Sequence, residues 1–185
     1  MSVSASSSAP DPLRLDVAAL AEQGRLISGQ WPVSEMSRLD EAQLLTGDAD
    51  PAVVRWQAEG EQRPVTGGSP EVWLHLQAEV ELSLCCQRCL GPVASDVAVD
   101  CSLRFVSDEA SAAEMDADSE DDVLALQRWT DLRELVEDEL LLALPLVPRH
   151  EVCPEPLPLP DDEIEADEAQ PNPFAVLAQL KKKTD

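Results

Sequence analysis

Two short motifs in the chain carry residue types that bind metal ions. Cys86 and Cys89 form a CxxC motif, and His150 and Cys153 follow far downstream with the same spacing. Structural zinc sites pair two such half-sites, because zinc takes four thiolate and imidazole ligands in a tetrahedral arrangement. The CxxC falls in a turn between two predicted strands, where a zinc knuckle presents its thiolates. The four residues are therefore a candidate zinc site.

The same cysteines allow two other interpretations. A redox CxxC usually lies at a helix N-terminus, which lowers the pKa of the thiol, whereas strands flank this one. A packed turn without metal also fits, since a free cysteine behaves as a small apolar residue. Cys85 is an alternative ligand, and Cys101 is interpreted as a core or surface thiol. Five cysteines, two of them adjacent, argue against a secreted disulfide framework and for a reducing compartment.

No catalytic motif accompanies these cysteines. The sequence has no glycine-rich phosphate loop and no G-x-S-x-G nucleophile turn, and His75 falls on the polar side of a predicted strand. Glu137, Asp138 and Glu139 are three adjacent acids on a predicted helix, a pattern typical of a solvated surface and a candidate for partner binding. We therefore predict that the protein is not an enzyme.

The charge of the chain favours a basic protein as partner. It has 13 lysine and arginine residues against 37 aspartate and glutamate residues, a formal net charge of −24. Such a surface repels the phosphates of nucleic acid and attracts a cationic protein. The one cationic cluster, Lys181, Lys182 and Lys183, either stabilises the end of its helix or touches RNA phosphate.

The sequence carries no signal for export or membrane insertion. Its beginning, MSVSASSSAPDP, lacks a cationic region and an apolar run of signal-peptide length. No later stretch approaches about 18 consecutive apolar residues. We predict a cytoplasmic protein with no membrane partner.

The longest helical pattern runs over residues 131–144. Asp131 or Thr130 caps it, apolar side chains return at spacings of three and four, and Pro145 ends it. Pro148 keeps the following segment extended. The face predicted to be buried consists of Leu132, Leu135, Val136, Leu140 and Ala143.

Alternation of apolar and polar residues predicts the strands. It is clearest over residues 71–84 and recurs over 94–106, with shorter strands at 26–31 and 53–60 and a short helix that Gly24 closes. The fold class is α+β. An antiparallel β-sheet, open or curled toward a small barrel, is covered by one main helix, and a short C-terminal helix follows.

The domain organisation follows from changes in composition. Residues 1–12 are predicted to be a disordered tail, and residues 13–153 a single α+β domain with an acidic loop at 107–122. Residues 154–170 form an acidic, proline-rich linker, and residues 171–185 a C-terminal helix and lysine tail. In that helix Asn172 is the cap, Pro173 the first residue, and Phe174 the start of an apolar stripe that is a candidate for partner binding.

Three strings, CQRCLGP, VEDELLLALPLVPRHEVC and NPFAVLAQLKKK, together resemble the bacterial YceD family, described as the large ribosomal RNA subunit accumulation protein. The resemblance covers roughly residues 72–183. It implies a role in the synthesis, processing or stability of 23S ribosomal RNA, and hence in large-subunit biogenesis. It does not imply a known catalytic activity. The matching positions are Cys86, Arg88, Cys89, Glu137, Asp138, Glu139, Pro145, Pro148, Asn172, Pro173 and Phe174.

Charge and resemblance together favour one hypothesis. An acidic protein without a catalytic motif suits a factor that binds a basic ribosomal protein or a large-subunit precursor. Direct contact with ribosomal RNA stays open, and the sequence does not specify an oligomeric state. The alternative is a structural-zinc or thiol redox module that uses the turn of Cys86 and Cys89.

Overall fold

The structure of the protein, a computed structural model, describes residues 9–44 and 51–154. The predictions for the tail before residue 9, for most of the linker and for the C-terminal helix lie outside these residues. So do the candidate partner-binding residues of that helix, namely Asn172, Pro173, Phe174, Lys181, Lys182 and Lys183.

Five strands in chain order form one sheet: β1 (Leu26–Pro32), β2 (Val53–Arg63), β3 (Glu71–Cys85), β4 (Pro92–Val106) and β5 (Asp122–Ala125). The first four strands pair antiparallel, and β5 runs parallel to β4. The sheet does not close, because β1 and β5 are not paired with each other in the described part of the chain. The α+β prediction is confirmed, with an open, mixed sheet in place of a barrel.

The long hairpin of β3 and β4 fixes which side of the sheet is buried. Its register sets Leu74 opposite Leu103 and Val80 opposite Val97, so apolar side chains meet across the strands on one face. The predicted alternation of β3 is confirmed. Its buried side chains on that face are Leu74, Leu76, Ala78, Val80, Leu82 and Leu84.

Three helices pack near the apolar face: α1 (Val17–Glu22), α2 (Ser37–Glu41) and the main helix, here called α4 (Leu132–Leu142). Asp131 caps α4 as predicted, accepting hydrogen bonds from the N–H groups of Arg133 and Glu134. Leu132, Val136 and Leu140 of α4 are fully buried. The helix ends slightly earlier than predicted, at Leu142. No helix within residues 9–44 or 51–154 is long and apolar enough to span a bilayer.

Helix α1 lies directly on strand β2 at a glycine. A Cβ atom on Gly60 would stand 2.5 Å from the backbone nitrogen of Ala21, closer than any real contact. The N–H of Gly60 also donates to the carbonyl of Arg25 at 3.0 Å. Only glycine therefore allows this helix and strand to approach so closely.

The prediction of an acidic loop at 107–122 was wrong over much of its length. Helix α3 (Glu109–Asp116) forms there, and β5 follows at its end. Asp108 caps the helix by accepting from the N–H of Ser111 at 2.9 Å, and Ala112 is buried. The sequence did not predict this helix because its small and acidic residues show no apolar periodicity. It buries little apolar surface and depends on its cap.

Candidate metal centre

Two segments build the site. One is the cysteine turn, residues 86–91, between β3 and β4, and the other is the strap, residues 148–153, which follows α4. The N–H of Cys86 donates to the carbonyl of Gly91 at 2.9 Å, and the N–H of Leu90 donates to the carbonyl of Cys86 at 2.8 Å. Leu90 adopts the left-handed backbone conformation, with φ of 60°, which closes the turn.

Hydrogen bonds fasten the strap to the cysteine turn. The N–H of Gln87 donates to the carbonyl of Pro148 at 2.8 Å. The guanidinium of Arg88 donates to the carbonyls of His150 and Glu151 at 2.9 and 3.1 Å. Because these bonds fix the strap backbone, the two distant half-sites come together.

The four predicted ligands meet in one cluster. One ligand atom from each of Cys86, Cys89, His150 and Cys153 lies within 4.8 Å of the others. The two sulfurs of Cys86 and Cys153 are 3.9 Å apart, and Cys89 Sγ is 3.4 Å from His150 Nδ1. A tetrahedral zinc ion with ordinary bond lengths requires separations of about 3.8 Å between sulfurs and about 3.6 Å between sulfur and nitrogen. The donor types and these two separations therefore fit zinc.

The imidazole of His150 is oriented as a ligand. Its Nε2 lies 2.9 Å from the carbonyl oxygen of Pro92. A carbonyl only accepts, so Nε2 carries the proton and the lone pair of Nδ1 faces the cysteine cluster. Metal-bound histidines usually make this kind of outer hydrogen bond.

The surroundings of Cys86 favour its thiolate. Burial raises the pKa of Cys86, but the backbone N–H groups of Cys89, Arg88 and His150 outweigh it and lower the pKa to about 5. The N–H of Gly91 lowers the pKa of Cys89, yet burial and the neighbouring thiols Cys86 and Cys153 leave it raised. These contacts therefore favour the thiolate of Cys86, which is the form that binds metal.

Arg88 offsets the negative charge of the cluster. Its Nε lies 3.0 Å from Cys153 Sγ, in addition to the bonds to the strap carbonyls. Three thiolates and a neutral imidazole around a zinc ion leave one net negative charge, which an adjacent guanidinium stabilises.

The arrangement is that of a structural site. Four protein ligands fill a tetrahedral zinc ion, so no position stays open for a substrate or water. A redox role for Cys86 fits less well, because its side chain is fully buried and a reactive thiol must be reached. Cys85 lies outside the cluster. Burial, and secondly the charge of Glu139, raise the pKa of Cys101 to about 12, so Cys101 remains a protonated thiol.

The three adjacent acids of α4 do not share one solvated surface. Glu137, expected on the solvated side, is buried and accepts from the N–H groups of Arg38 and Leu39 at 2.7 and 3.0 Å. Asp138 pairs with the guanidinium of Arg38 and is about half exposed. Glu139 is partly buried, and burial is the main reason that its pKa is raised. Asp138 and Glu139 therefore remain partly accessible to a partner, whereas Glu137 does not.

The sequence did not predict a polar network that lies on the sheet. His75 Nδ1 lies 3.3 Å from Ser102 Oγ, and His75 Nε2 lies 3.3 Å from Asp100 Oδ1. The residue types are those of a hydrolase triad, but catalytic contacts are about 2.6 to 3.2 Å. Asp100 is also largely exposed. The register of β3 and β4 brings these side chains together, and the sequence alone does not reveal that register.

Comparison with known proteins adds a family match over most of the described domain. The family model described as "Large ribosomal RNA subunit accumulation protein YceD" matches residues 74–181. A curated protein of that name from Haemophilus influenzae is 33% identical in an alignment of 120 residues that covers 58% of this chain and 64% of the relative. The alignment thus spans just under two thirds of the relative. No solved structure matches the chain.

Proposed function

The chain belongs to the YceD family, and from that membership we propose that it is a cytosolic, non-enzymatic factor in large ribosomal RNA subunit accumulation. It acts in the synthesis, processing or stability of 23S ribosomal RNA and so in biogenesis of the large subunit. The observation that carries the proposal is the family match, which includes the cysteine turn, the strap and α4.

Charge on the polar face of the sheet supports a basic partner. Glu81 and Asp96 stand directly opposite each other in the register of β3 and β4, and both are exposed. Neither has a cationic partner among the described residues. Like charges facing each other across strands destabilise a sheet unless a cation comes between them. A basic ribosomal protein, alone or within a precursor particle, supplies that cation.

The two groups of side chains that could take part in catalysis also support binding rather than catalysis. The four side chains of the cysteine cluster would fill the coordination sphere of a bound zinc ion and leave no position for a substrate. The network of His75, Ser102 and Asp100 lies on the polar face of the sheet, where His75 and Ser102 are half-buried and Asp100 is exposed, so water competes with its hydrogen bonds.

Loss of the protein tests the pathway. In cells that lack it, we expect 23S ribosomal RNA to fall relative to the small-subunit RNA, because only large-subunit maturation loses its factor. Expression of the wild-type chain in the same cells is the control and restores the ratio. The measurement is quantitative electrophoresis of total RNA during growth. An equal fall of both RNAs would contradict the proposal.

A second candidate function, a structural metal module, rests on the cysteine cluster. The donor set of Cys86, Cys89, His150 and Cys153 matches zinc, and a bound ion would lock the strap to the cysteine turn. The two candidates are compatible, because a metal that holds the strap shapes the surface around it.

A further inference from the structure

The end of the molecule that carries the cysteine cluster exposes an unusual amount of apolar side chain. The five most exposed large apolar residues in the described part of the chain all belong to it. They are Leu146 (99% exposed), Val152 (85%), Leu142 (80%), Leu90 (63%) and Val147 (60%), here called the apolar end.

Chain connectivity, together with the contacts between the cysteine turn and the strap, places these five residues at the same end of the domain. Leu90 belongs to the turn and Val152 to the strap, and the turn and strap are joined through the cluster and through Arg88. Leu146 and Val147 directly precede Pro148, whose carbonyl accepts from the turn. Leu142 ends α4, four residues before Leu146, so the connecting chain limits their separation to about 14 Å.

Folding does not account for this exposure. The strap is held by backbone hydrogen bonds, by Arg88 and by the cysteine cluster, while Leu146 contributes almost none of its surface to the core. Clustered apolar side chains on the surface of a protein usually mark an interaction site.

The surroundings of the apolar end are acidic. Glu81 and Asp96 lie near the same ends of β3 and β4 that flank the cysteine turn, and Glu151 is exposed in the strap. The N–H of Leu44, just after α2, donates to the carbonyl of Ser83 at 2.7 Å, which places the end of α2 near the cysteine turn. Glu41, the last residue of α2, is exposed there. Arg88 is held by the strap, and Arg38 of α2 is paired with Glu137 and Asp138. Among the described residues named here, this leaves exposed Arg149 against the four acids.

We propose that the apolar end is the docking surface for a cationic, amphipathic segment of a protein partner. Apolar side chains of that segment cover Leu146, Val147 and Leu142, and its lysines and arginines meet the acidic rim. The same rim repels nucleic acid, an anionic membrane and a second copy of this chain. The inference rests on the proposed function, for which it names the surface.

Matched double variants test the surface. Leu146→Ser with Val147→Ser removes one leucine and one valine from the apolar end, and Leu26→Ser with Val65→Ser removes the same types from exposed positions elsewhere. We expect co-sedimentation with large-subunit precursors to fall at least about tenfold for the first pair and to stay unchanged for the second. Thermal unfolding of both purified variants verifies that each is folded.

A photo-crosslinking residue at position 146, with position 65 as control, identifies the occupant. A crosslink from position 146 to a basic ribosomal protein supports the proposal. A crosslink to RNA or to a second copy of the chain, or none, overturns it. Where the wild-type chain co-sediments and the Leu146 and Val147 variant does so equally, the docking surface is wrong and the proposed function stands. If the wild-type chain itself does not co-sediment with precursors, both the docking surface and the proposed binding to a precursor particle are wrong.

Discussion

Replacing Glu137 with alanine is expected to lower the free energy of unfolding by about 3 kcal/mol. The carboxylate accepts from the N–H groups of Arg38 and Leu39, and it also binds the guanidinium of Arg38 at 2.9 and 3.2 Å. Alanine leaves these donors at the beginning of α2 without their acceptor, in a site where the side chain was buried. Urea denaturation of the purified variant measures the loss.

Asp138→Asn is the matched control. Asp138 is the next residue of the same helix and binds the same guanidinium, but its side chain is 47% exposed. Exposed ion pairs contribute about 0 to 1 kcal/mol, so this variant should differ little from wild type. Equal losses for both variants would show that the buried carboxylate has no special role in joining α4 to α2.

The same carboxylate predicts a dependence of stability on pH. Burial raises the pKa of Glu137, but hydrogen bonds from Leu39 and Arg38 outweigh it and leave the pKa below the ordinary 4.5. A lowered pKa means that the contribution of Glu137 is complete above pH 4.5 and is lost as the pH falls through its folded value. The stability difference between wild type and Glu137→Gln should therefore shrink below pH 4.5.

Replacing Cys86 with serine is expected to abolish stoichiometric zinc in the purified protein. Cys86 is the most buried of the four ligands and the one whose pKa is lowered to about 5, so its thiolate anchors the site. Structural zinc contributes directly to folding, and the variant should also unfold at a lower temperature. Elemental analysis and calorimetry of the same sample measure both effects.

Cys85→Ser is the control, because Cys85 is the adjacent residue and lies outside the cluster. It should keep its zinc. If Cys86→Ser retained zinc and Cys85→Ser lost it, the ligand would be Cys85 and not Cys86. Wild-type protein purified without any metal would overturn the metal site altogether.

Spacing and periodicity in the sequence were sufficient for the parts of the fold with strong local signals. The alternation from Glu71 to Leu84 identified the central strand, and the cap at Asp131 with the stop near Pro145 identified the main helix. The CxxC and HxxC spacings also identified all four residues that the structure brings together. These features depend on neighbours in the chain, which a sequence displays directly.

Features that depend on tertiary contacts could not be predicted. Glu137 looked solvated because its partner is the short helix at Arg38, whose own signal is weak. The parallel strand β5 follows a helix of small and acidic residues that resembles a loop, and the contact of His75 with Asp100 depends on strand register. The exposure of Leu146 likewise depends on where the strap is fastened, which the sequence does not reveal.

Affinity capture of the tagged protein from growing cells, at low and at high salt, is the decisive test of binding to a ribosomal partner. Both the proteins and the RNA that are retained are identified, with the tag alone as control. We expect a basic ribosomal protein or large-subunit precursor RNA at low salt and its loss at high salt, because screening weakens attraction to a chain of net charge −24. Retention of neither, from cells that are making ribosomes, would contradict a role in large-subunit assembly through such a partner.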